Sequence, residues 1–527
     1  MLLSDLVQIK RQPLTLSIRI KYQDQIVMSK ILLFNPKSAV AKHRIPNSIL
    51  SIAASVEGKY EWVVVDGNCE PDPYQKIRQY LDTGSFRYVG FTVMPGPQLK
   101  QAIPFARNIR IDFPGTIMIW GGYFPAAQYK TVLDSGYVDF IVNGPGDHAF
   151  PKLIEALENR LPFDQIKNLI FRNENGFVKT PKEELFDQDP LPPLPYDRLN
   201  NFYSIDQYYL GKTYLGQRTM AYHSSIGCPF TCSFCAVVPV YEARWKAKSA
   251  QLVYKDIKYI KEKWGADAIE FHDNNFFVSE KRALEFAHLI LPEQMNWWGM
   301  ARIDTMSRFK DSSLAAIREA GCRIIFFGAE SGNDAVLKQM DKGGTQSGEQ
   351  IARFAERLRK FDIIPEYSFV LGTPADNADE VQSRIDFDIE YIKKIKKINP
   401  DTEIVIYVYS PVPTEGSELF NQALANGFTY PKTLEDWISP QWEGFDLRKN
   451  PLTPWLTKGM VDKIKNFETV LNGYYPTVTD IRLNSLKRKL IHFASGVRYK
   501  MNLYHSPYEI KLLQRMWKYR QPEIQGF

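Results

Sequence analysis

The sequence predicts an α/β protein: a doubly wound parallel sheet, then a partial barrel of six βα units, then a mainly helical carboxyl-terminal domain. Three observations predict it. Short, wholly apolar strands alternate with helix-like stretches in two separate runs, and strands of that kind belong to parallel sheets covered on both faces. A proline-dense segment, Pro190-Leu191-Pro192-Pro193-Leu194-Pro195, resists both helix and sheet and divides the two runs. Three cysteines, Cys228, Cys232 and Cys235, sit directly after the first strand of the second run.

The first run places strands at Ile31 to Phe34, Trp62 to Val65, Tyr88 to Val93, Thr116 to Trp120 and Phe140 to Val142. Ile45, Ile49, Ile52 and Val56 recur at steps of four, three and four, which makes one buried helical stripe after the first strand. The doubly wound domain is expected over residues 29–160, behind an amino-terminal extension, 1–28. Residues 161–216 read as a linker, with a hairpin from Leu169 to Val178 turning at Asn173 to Gly176.

The second run, 217–424, places strands at Thr219 to His223, Ala268 to His272, Trp297 to Ala301, Arg323 to Phe327, Tyr367 to Leu371 and Ile404 to Tyr409. A helix from about Ser249 puts Leu252, Val253, Ile257, Ile260 and Trp264 on one side. Residues 425–527 are expected to be helical and to cover the substrate.

A chain of 527 residues is too long for one core, and 44% apolar residues can fill several. Only five cysteines occur, three of them in one loop, which argues against a disulfide framework and for a cytoplasmic protein. The amino terminus meets Asp5 before an apolar run develops, and no stretch of about 18 apolar residues follows, so neither export nor membrane spanning is indicated. Net charge is +6, but Ile481 to Arg520 holds ten Lys or Arg against Glu509 alone. The remainder is slightly acidic.

The Cys-x3-Cys-x2-Cys loop brings three thiolates to one corner of a cubane and offers no fourth, so one iron of a 4Fe-4S cluster stays open for a ligand. The alternative is structural zinc completed by His223, but zinc prefers two pairs of ligands, and a second pair is absent. In a βα barrel reactive groups gather at the carboxyl ends of the strands. There stand Asp273-Asn274-Asn275, Arg302, Gly328-Ala329-Glu330-Ser331-Gly332, Gly372-Thr373-Pro374 and Ser410-Pro411-Val412-Pro413. Plainer roles compete: Asp273 or Asn274 as a helix cap, Arg302 as a surface ion pair, Cys322 as a buried small hydrophobe and Cys69 as a loop thiol without a partner.

With these motifs in this order, the chain from about Thr219 to Leu424 resembles the radical S-adenosylmethionine superfamily. Cys228, Cys232, Phe234 and Cys235 match its Cys-x3-Cys-x-aromatic-Cys pattern, and Ala320-Gly321-Cys322 and Gly328 to Gly332 are typical. The usual Gly-x-Pro-Gly-Glu is softened to Gly372-Thr373-Pro374-Ala375-Asp376. The resemblance implies a 4Fe-4S cluster on the three cysteines and S-adenosylmethionine on its open iron, with Phe234, Asp273, Arg302, Glu330, Ser331 and Gly372 as contacts. It also implies an external one-electron reductant of the flavodoxin or ferredoxin type.

The first domain lacks Gly-x-Gly-x-x-Gly after its first strand, where Asn35-Pro36-Lys37-Ser38 stands, so generic dinucleotide binding is not indicated. Thr92 after the third strand, Gly121-Gly122 after the fourth and Gly144-Pro145-Gly146-Asp147 after the fifth instead resemble the Rossmann-like cobalamin-binding domain that precedes some radical barrels. That resemblance implies cobalamin against Thr92, Gly121, Gly122, Gly144 and Gly146. Ala41-Lys42-His43-Arg44-Ile45-Pro46 lacks the aspartate that orients an axial histidine in cobalamin mutases, so His43 reads as a bystander.

Together the two resemblances imply methyl transfer to an unactivated carbon through a 5′-deoxyadenosyl radical and methylcobalamin. The alternative is cobalamin-assisted radical chemistry without methylation, as in the anaerobic magnesium-protoporphyrin monomethyl ester cyclase family. An RNA methylthiotransferase would need amino-terminal cluster cysteines, where this chain has Cys69 alone, and no nucleic acid partner is expected. A bare metal-binding module leaves the strand-top motifs unexplained. The substrate is a small molecule or a lipid. Leu490 to Tyr519 mixes Phe493, Tyr499, Tyr504, Tyr508 and Trp517 with basic residues, which suits a membrane surface; a solvated basic helical face is the ordinary reading.

Overall fold

Residues 29–38, 43–210, 213–342, 345–442, 452–476 and 483–517 are described by the structure, a computed structural model. The expected extension, 1–28, lies outside them, as do Ala41 and Lys42. The first run forms β1 (Lys30–Asn35), β2 (Trp62–Asp66), β3 (Phe86–Thr92), β4 (Ile117–Gly121) and β5 (Phe140–Val142). They pair in parallel in the order β2-β1-β3-β4-β5. Alternate residues of β1 enter opposite cores. Ile31 and Leu33 pack with Ile49, Leu50 and Leu153 on one face, and Leu32 and Phe34 with Ile77, Ala102 and Ile103 on the other. The order reverses between β1 and β3, and the crevice at such a switch point is where open sheets of this kind bind ligands.

The hairpin expected within the linker is part of this sheet. β6 (Leu169–Asn173) pairs antiparallel with β5, and β7 (Gly176–Lys179) with β6, giving seven strands. Leu169, Ile170 and Phe171 are apolar enough to cover the edge that β5 would otherwise expose. The proline-dense run holds no strand and leads into the helix Tyr196–Phe202.

The second run forms β8 (Thr219–Tyr222), β9 (Ser225–Gly227), β10 (Trp245–Ala247), β11 (Ala268–Phe271), β12 (Asn296–Ala301), β13 (Cys322–Glu330), β14 (Ile364–Leu371) and β15 (Glu403–Val408). Six of them pair in parallel in the order β15-β14-β13-β12-β11-β8, a partial barrel whose edges are β8 and β15. β9 and β10 form a separate antiparallel ribbon, unanticipated from the sequence, that brackets the cysteine loop. A second difference concerns Gly328-Ala329-Glu330, expected after the fourth barrel strand. These residues end β13 itself, because the register slips between Gly328 and Glu330 and lets the strand run on through a bulge.

Carboxyl-terminal helices span Glu418–Ala425, Lys458–Tyr474, Ser485–Lys500 and Tyr508–Trp517. Between residues 426 and 457 the described chain holds only the 3-10 turn Glu435–Ile438 and lies across both preceding domains. Trp455 Nε1 donates to Gly372 O at 2.9 Å, Tyr430 OH to Pro411 O at 2.9 Å, and the Trp437 ring meets that of Phe124 at 5.1 Å. No helix among the described residues is long and apolar enough to cross a membrane.

Candidate active site

The cysteine loop leaves the barrel through Gly227, whose φ of +74° and closeness to Arg244 O, 2.1 Å from where a Cβ would stand, admit only glycine. Its far end is pinned by backbone. Ser233 N donates to Met340 O at 3.1 Å, Ser233 Oγ to Gln339 O at 3.0 Å, and Thr414 Oγ1 to Ser233 O at 2.5 Å. Burial pushes the Cys228 thiol up to about 11 and Cys235 up to about 12, and the charges of the three thiols act on one another. Cys232 is raised as well, by burial, against the opposing pull of Lys342 and Arg302.

Two cations face this loop. Arg302 Nη1 donates to Cys232 Sγ at 2.9 Å, its guanidinium lies 4.0 Å from the Phe230 ring centroid, and its fork grips Asp304 at 2.9 and 2.7 Å. It is therefore a buried, oriented group and not the surface ion pair of its plainer reading. Lys342 Nζ bonds Glu330 Oε1 and Gly328 O, each at 2.8 Å, and stands 5.9 Å from the Phe234 ring. Three thiols under two cations suit an anionic iron–sulfur cluster. Among the described residues no three His, Cys, Asp or Glu side chains gather round one point as ligands of a single ion do. A cubane instead takes each thiolate on a different iron. His223, the fourth ligand of the zinc alternative, turns Nδ1 toward Asn47 Nδ2 at 3.3 Å.

The other expected contacts divide. Asp273 is fully buried and accepts from Ser224 N, Ser224 Oγ and Ser225 Oγ at 2.6, 2.5 and 2.6 Å, so it ties β11 to the strand that enters the cysteine loop. Ser331 Oγ donates to Asp388 at 2.8 and 2.9 Å and also accepts from Asn333 N at 3.0 Å. Glu330, at φ +66°, faces Lys342 and Ser368. Gly372 lies under Trp455 and Leu456. Polar capacity remains elsewhere at the strand tops: both amide atoms of Asn275, Oε1 of Gln346 and the Tyr409 hydroxyl are buried without a protein partner. A polar ligand carrying ammonium, carboxylate and ribose groups fits such surroundings, since buried polar atoms normally have partners.

Asp388 itself yields a prediction. Burial raises its carboxyl to about 6, so the stability this proton contributes is full below the ordinary value of 3.8 and is lost as pH rises through about 6. Asp388→Asn keeps an acceptor for Ser331 Oγ and Gly332 N and is expected to match or exceed the parent in urea unfolding at pH 8. Asp388→Ala strands both donors and is expected to cost about 1–3 kcal/mol.

In the first domain Thr92 and Gly121 end adjacent strands in register, and Thr92 Oγ1 lies 3.3 Å from Ser48 Oγ. Gly122, at φ +102°, would place a Cβ 2.6 Å from Val93 O. Gly144 lies against the Asn168 side chain, and Gly146 opens the helix Gly146–Asn159. All five expected residues thus border the carboxyl edge of β3, β4 and β5. His43 and Cys69 are not isolated: Cys69 Sγ is 3.4 Å from His43 Nε2, which corrects the reading of a thiol without a partner. The His43 ring packs edge-on to Tyr208 at 5.5 Å.

The carboxyl edges of the two sheets face each other. Tyr123, next after Gly121-Gly122, bonds Asn274 Oδ1 at 3.3 Å beyond β11 and meets the Tyr241 ring at 6.4 Å. Lys182 Nζ joins the two halves by donating to Asn143 Oδ1 at 2.7 Å and Val240 O at 2.9 Å. Near the same seam Arg44 Nε donates to His272 Nε2 at 3.0 Å, and that nitrogen is 2.9 Å from Glu270 Oε2. That nitrogen accepts from Arg44 in one tautomer or donates to Glu270 in the other, not both at once. Burial would raise Glu270, but the bond to His272 and the Arg44 charge hold it below the usual range. Sequence reasoning missed Tyr123, Tyr241, Lys342, Arg44, Glu270 and His272. The one legible signal was Glu270, an acid inside the otherwise apolar strand Ala268 to Phe271.

Residues 222–411 match the radical SAM superfamily. The chain is 25% identical over 413 residues to an uncharacterised methyltransferase of Pyrococcus horikoshii, covering 75% of this chain and 83% of the relative. It is 27% identical over 303 residues to an anaerobic magnesium-protoporphyrin IX monomethyl ester cyclase of Synechocystis, 57% of each chain. Two solved structures share its fold. The cobalamin-dependent S-adenosylmethionine radical enzyme OxsB, with aqua-cobalamin bound, superposes with a TM-score of 0.66 at 16% identity, over 94% of this chain and 74% of that one. The radical S-adenosylmethionine methyltransferase TsrM from Kitasatospora setae, with cobalamin and a [4Fe-4S] cluster bound, gives 0.64 at 17%, over 93% and 99%.

Proposed function

We propose, from the chain's membership of the radical S-adenosylmethionine superfamily through residues 222–411, that it is a cobalamin-dependent enzyme methylating an unactivated carbon. The observation that carries this reading is Tyr123, which sets the Gly121-Gly122 turn of the switch-point sheet against Asn274 beyond β11 and against Tyr241, six residues past Cys235. A ligand in that crevice and a ligand on the cysteine loop would then share one reaction chamber.

When bound, the cluster with S-adenosylmethionine supplies a 5′-deoxyadenosyl radical, and the corrinoid supplies a methyl group. The chain's own residues bind and orient. Cys228, Cys232 and Cys235 would hold three irons, with Arg302 neutralising charge at Cys232. Glu330, paired with Lys342, and the unpartnered amide of Asn275 are the groups we assign to S-adenosylmethionine, with the Phe234 backbone and Gly372 at its edges. Asp273 and Ser331 act one step back, holding the cysteine loop and the turn after β13 in place. Thr92, Gly121, Gly122, Gly144 and Gly146 would line the corrinoid. Residues 426–442 and 452–457 would exclude water above β14 and β15, which protects a radical from quenching. Glu270 and His272 would offer a place to hold or move one proton at the seam between the two domains.

S-adenosylmethionine carrying a deuterated methyl group tests the reading, with anaerobically reconstituted enzyme, a one-electron reductant and pooled small-molecule and lipid extracts. One labelled methyl group in a product, formed with 5′-deoxyadenosine, is expected. A product altered without the label would favour the cyclase-like alternative. Gly122→Val is expected to lower cobalamin retention about tenfold or more, since a β-branched residue at this φ is strained and meets Val93 O. Iron content should be unchanged, read by metal analysis beside the corrinoid absorbance.

A further inference from the structure

The carboxyl-terminal helix Ser485–Lys500 exposes an apolar stripe where a solvated basic face was the ordinary expectation. Leu486, Leu490, Phe493, Val497 and Met501 are 65, 51, 81, 59 and 65% exposed. At about 100° per residue they fall within an arc of about 80°, opposite the buried Ile491, Ser495 and Tyr499. Leu503 beyond that helix, and Tyr508, Leu512 and Met516 on the next helix, Tyr508–Trp517, are exposed as well. Nine of the seventeen large apolar side chains exposed among the described residues thus lie between Leu486 and Met516. A patch of this kind marks an interaction surface.

Charge identifies the partner. On the same helical wheel Lys489 and Lys500 border one edge of the stripe, and Lys487 and Arg498 border the other. The single acid of residues 483–517, Glu509, is held by Arg498, which leaves Lys487, Lys489 and Lys500 as a net positive rim along the stripe. An apolar stripe flanked by lysines is the pattern of a helix lying in the plane of an anionic lipid interface. A second copy of the chain would bring one positive rim against another. We infer that the helices Ser485–Lys500 and Tyr508–Trp517 dock on the surface of an anionic bilayer. The inference does not depend on either cofactor.

Flotation of the full chain with vesicles of phosphatidylcholine and phosphatidylglycerol, against phosphatidylcholine alone, tests it at low and high salt. The parent is expected to float with the anionic vesicles at low salt. Lys489→Ala and Lys500→Ala should each weaken partitioning about fivefold, the effect of one lysine near such a surface. Phe493→Glu with Val497→Glu should abolish it. These side chains lie outside the core, and unchanged circular dichroism will verify folding; were the double variant to misfold, the lysine variants carry the test. A parent that does not float, or floats equally with neutral vesicles or after the lysine changes, overturns the inference. So does a concentration-dependent dimer that Phe493→Glu dissolves and vesicles leave intact.

Discussion

Cys232→Ala is expected to leave the anaerobically reconstituted protein without a 4Fe-4S cluster and without reductive cleavage of S-adenosylmethionine, while Cys322→Ala keeps both. Three thiolates are the fewest that leave one iron open, so removing one leaves two corners held and two bare. Cys232 is the most buried of the three and receives Arg302 Nη1 at 2.9 Å. Cys322 is fully buried at the start of β13 and packs as a small apolar side chain. Arg302→Met should fall between them. It removes a partner of the ligand and not the ligand, for which a loss of about 10–100-fold in affinity is usual. It also leaves Asp304, 2% exposed, without its bidentate partner. Iron and sulfide analysis with electron paramagnetic resonance of the reduced protein reads all three variants. Cys232→Ala retaining iron at the parent level would remove the basis of the functional reading.

The strands and their direction were legible because each is a short apolar run, and the parallel pairing follows from helices between them. The cysteine loop was legible because its spacing is local. What escaped notice depends on partners far apart in the chain. The β6–β7 hairpin looked like part of a linker because its turn and the proline run share a composition, yet Ile170 pairs with Ile141 across an edge that sequence does not reveal. Asp273 and Ser331 were expected at a ligand because they stand at strand tops, but Ser224 and Asp388, 49 and 57 residues away, engage them first. Tyr123 was invisible for the same reason: its role exists only once the two carboxyl edges meet. The stripe on the helix Ser485–Lys500 has a helical period that also fits a core face, and only its exposure reverses that reading.

Lys342→Met is expected to destabilise the protein by about 3–5 kcal/mol, the usual cost of removing one partner from a buried ion pair. The Lys342 and Glu330 side chains are 3 and 7% exposed, with Nζ and Oε1 2.8 Å apart. Methionine matches the aliphatic stem of lysine, so packing changes little and most of the loss comes from a stranded carboxylate. Glu330→Gln in the same chain removes that charge while keeping an oxygen near Ser368, and the double variant should therefore recover most of the loss. The pair also links the bulge of β13 to the Phe234 ring, 5.9 Å from Nζ. The double variant should then be stable yet bind S-adenosylmethionine weakly, separating support of the fold from support of the ligand. Urea unfolding and equilibrium dialysis of S-adenosylmethionine against the reconstituted protein read the two effects. A double variant no more stable than Lys342→Met would mean that the lysine acts through packing and not through charge, whereas one with unimpaired binding would remove Glu330 from the contacts assigned to S-adenosylmethionine.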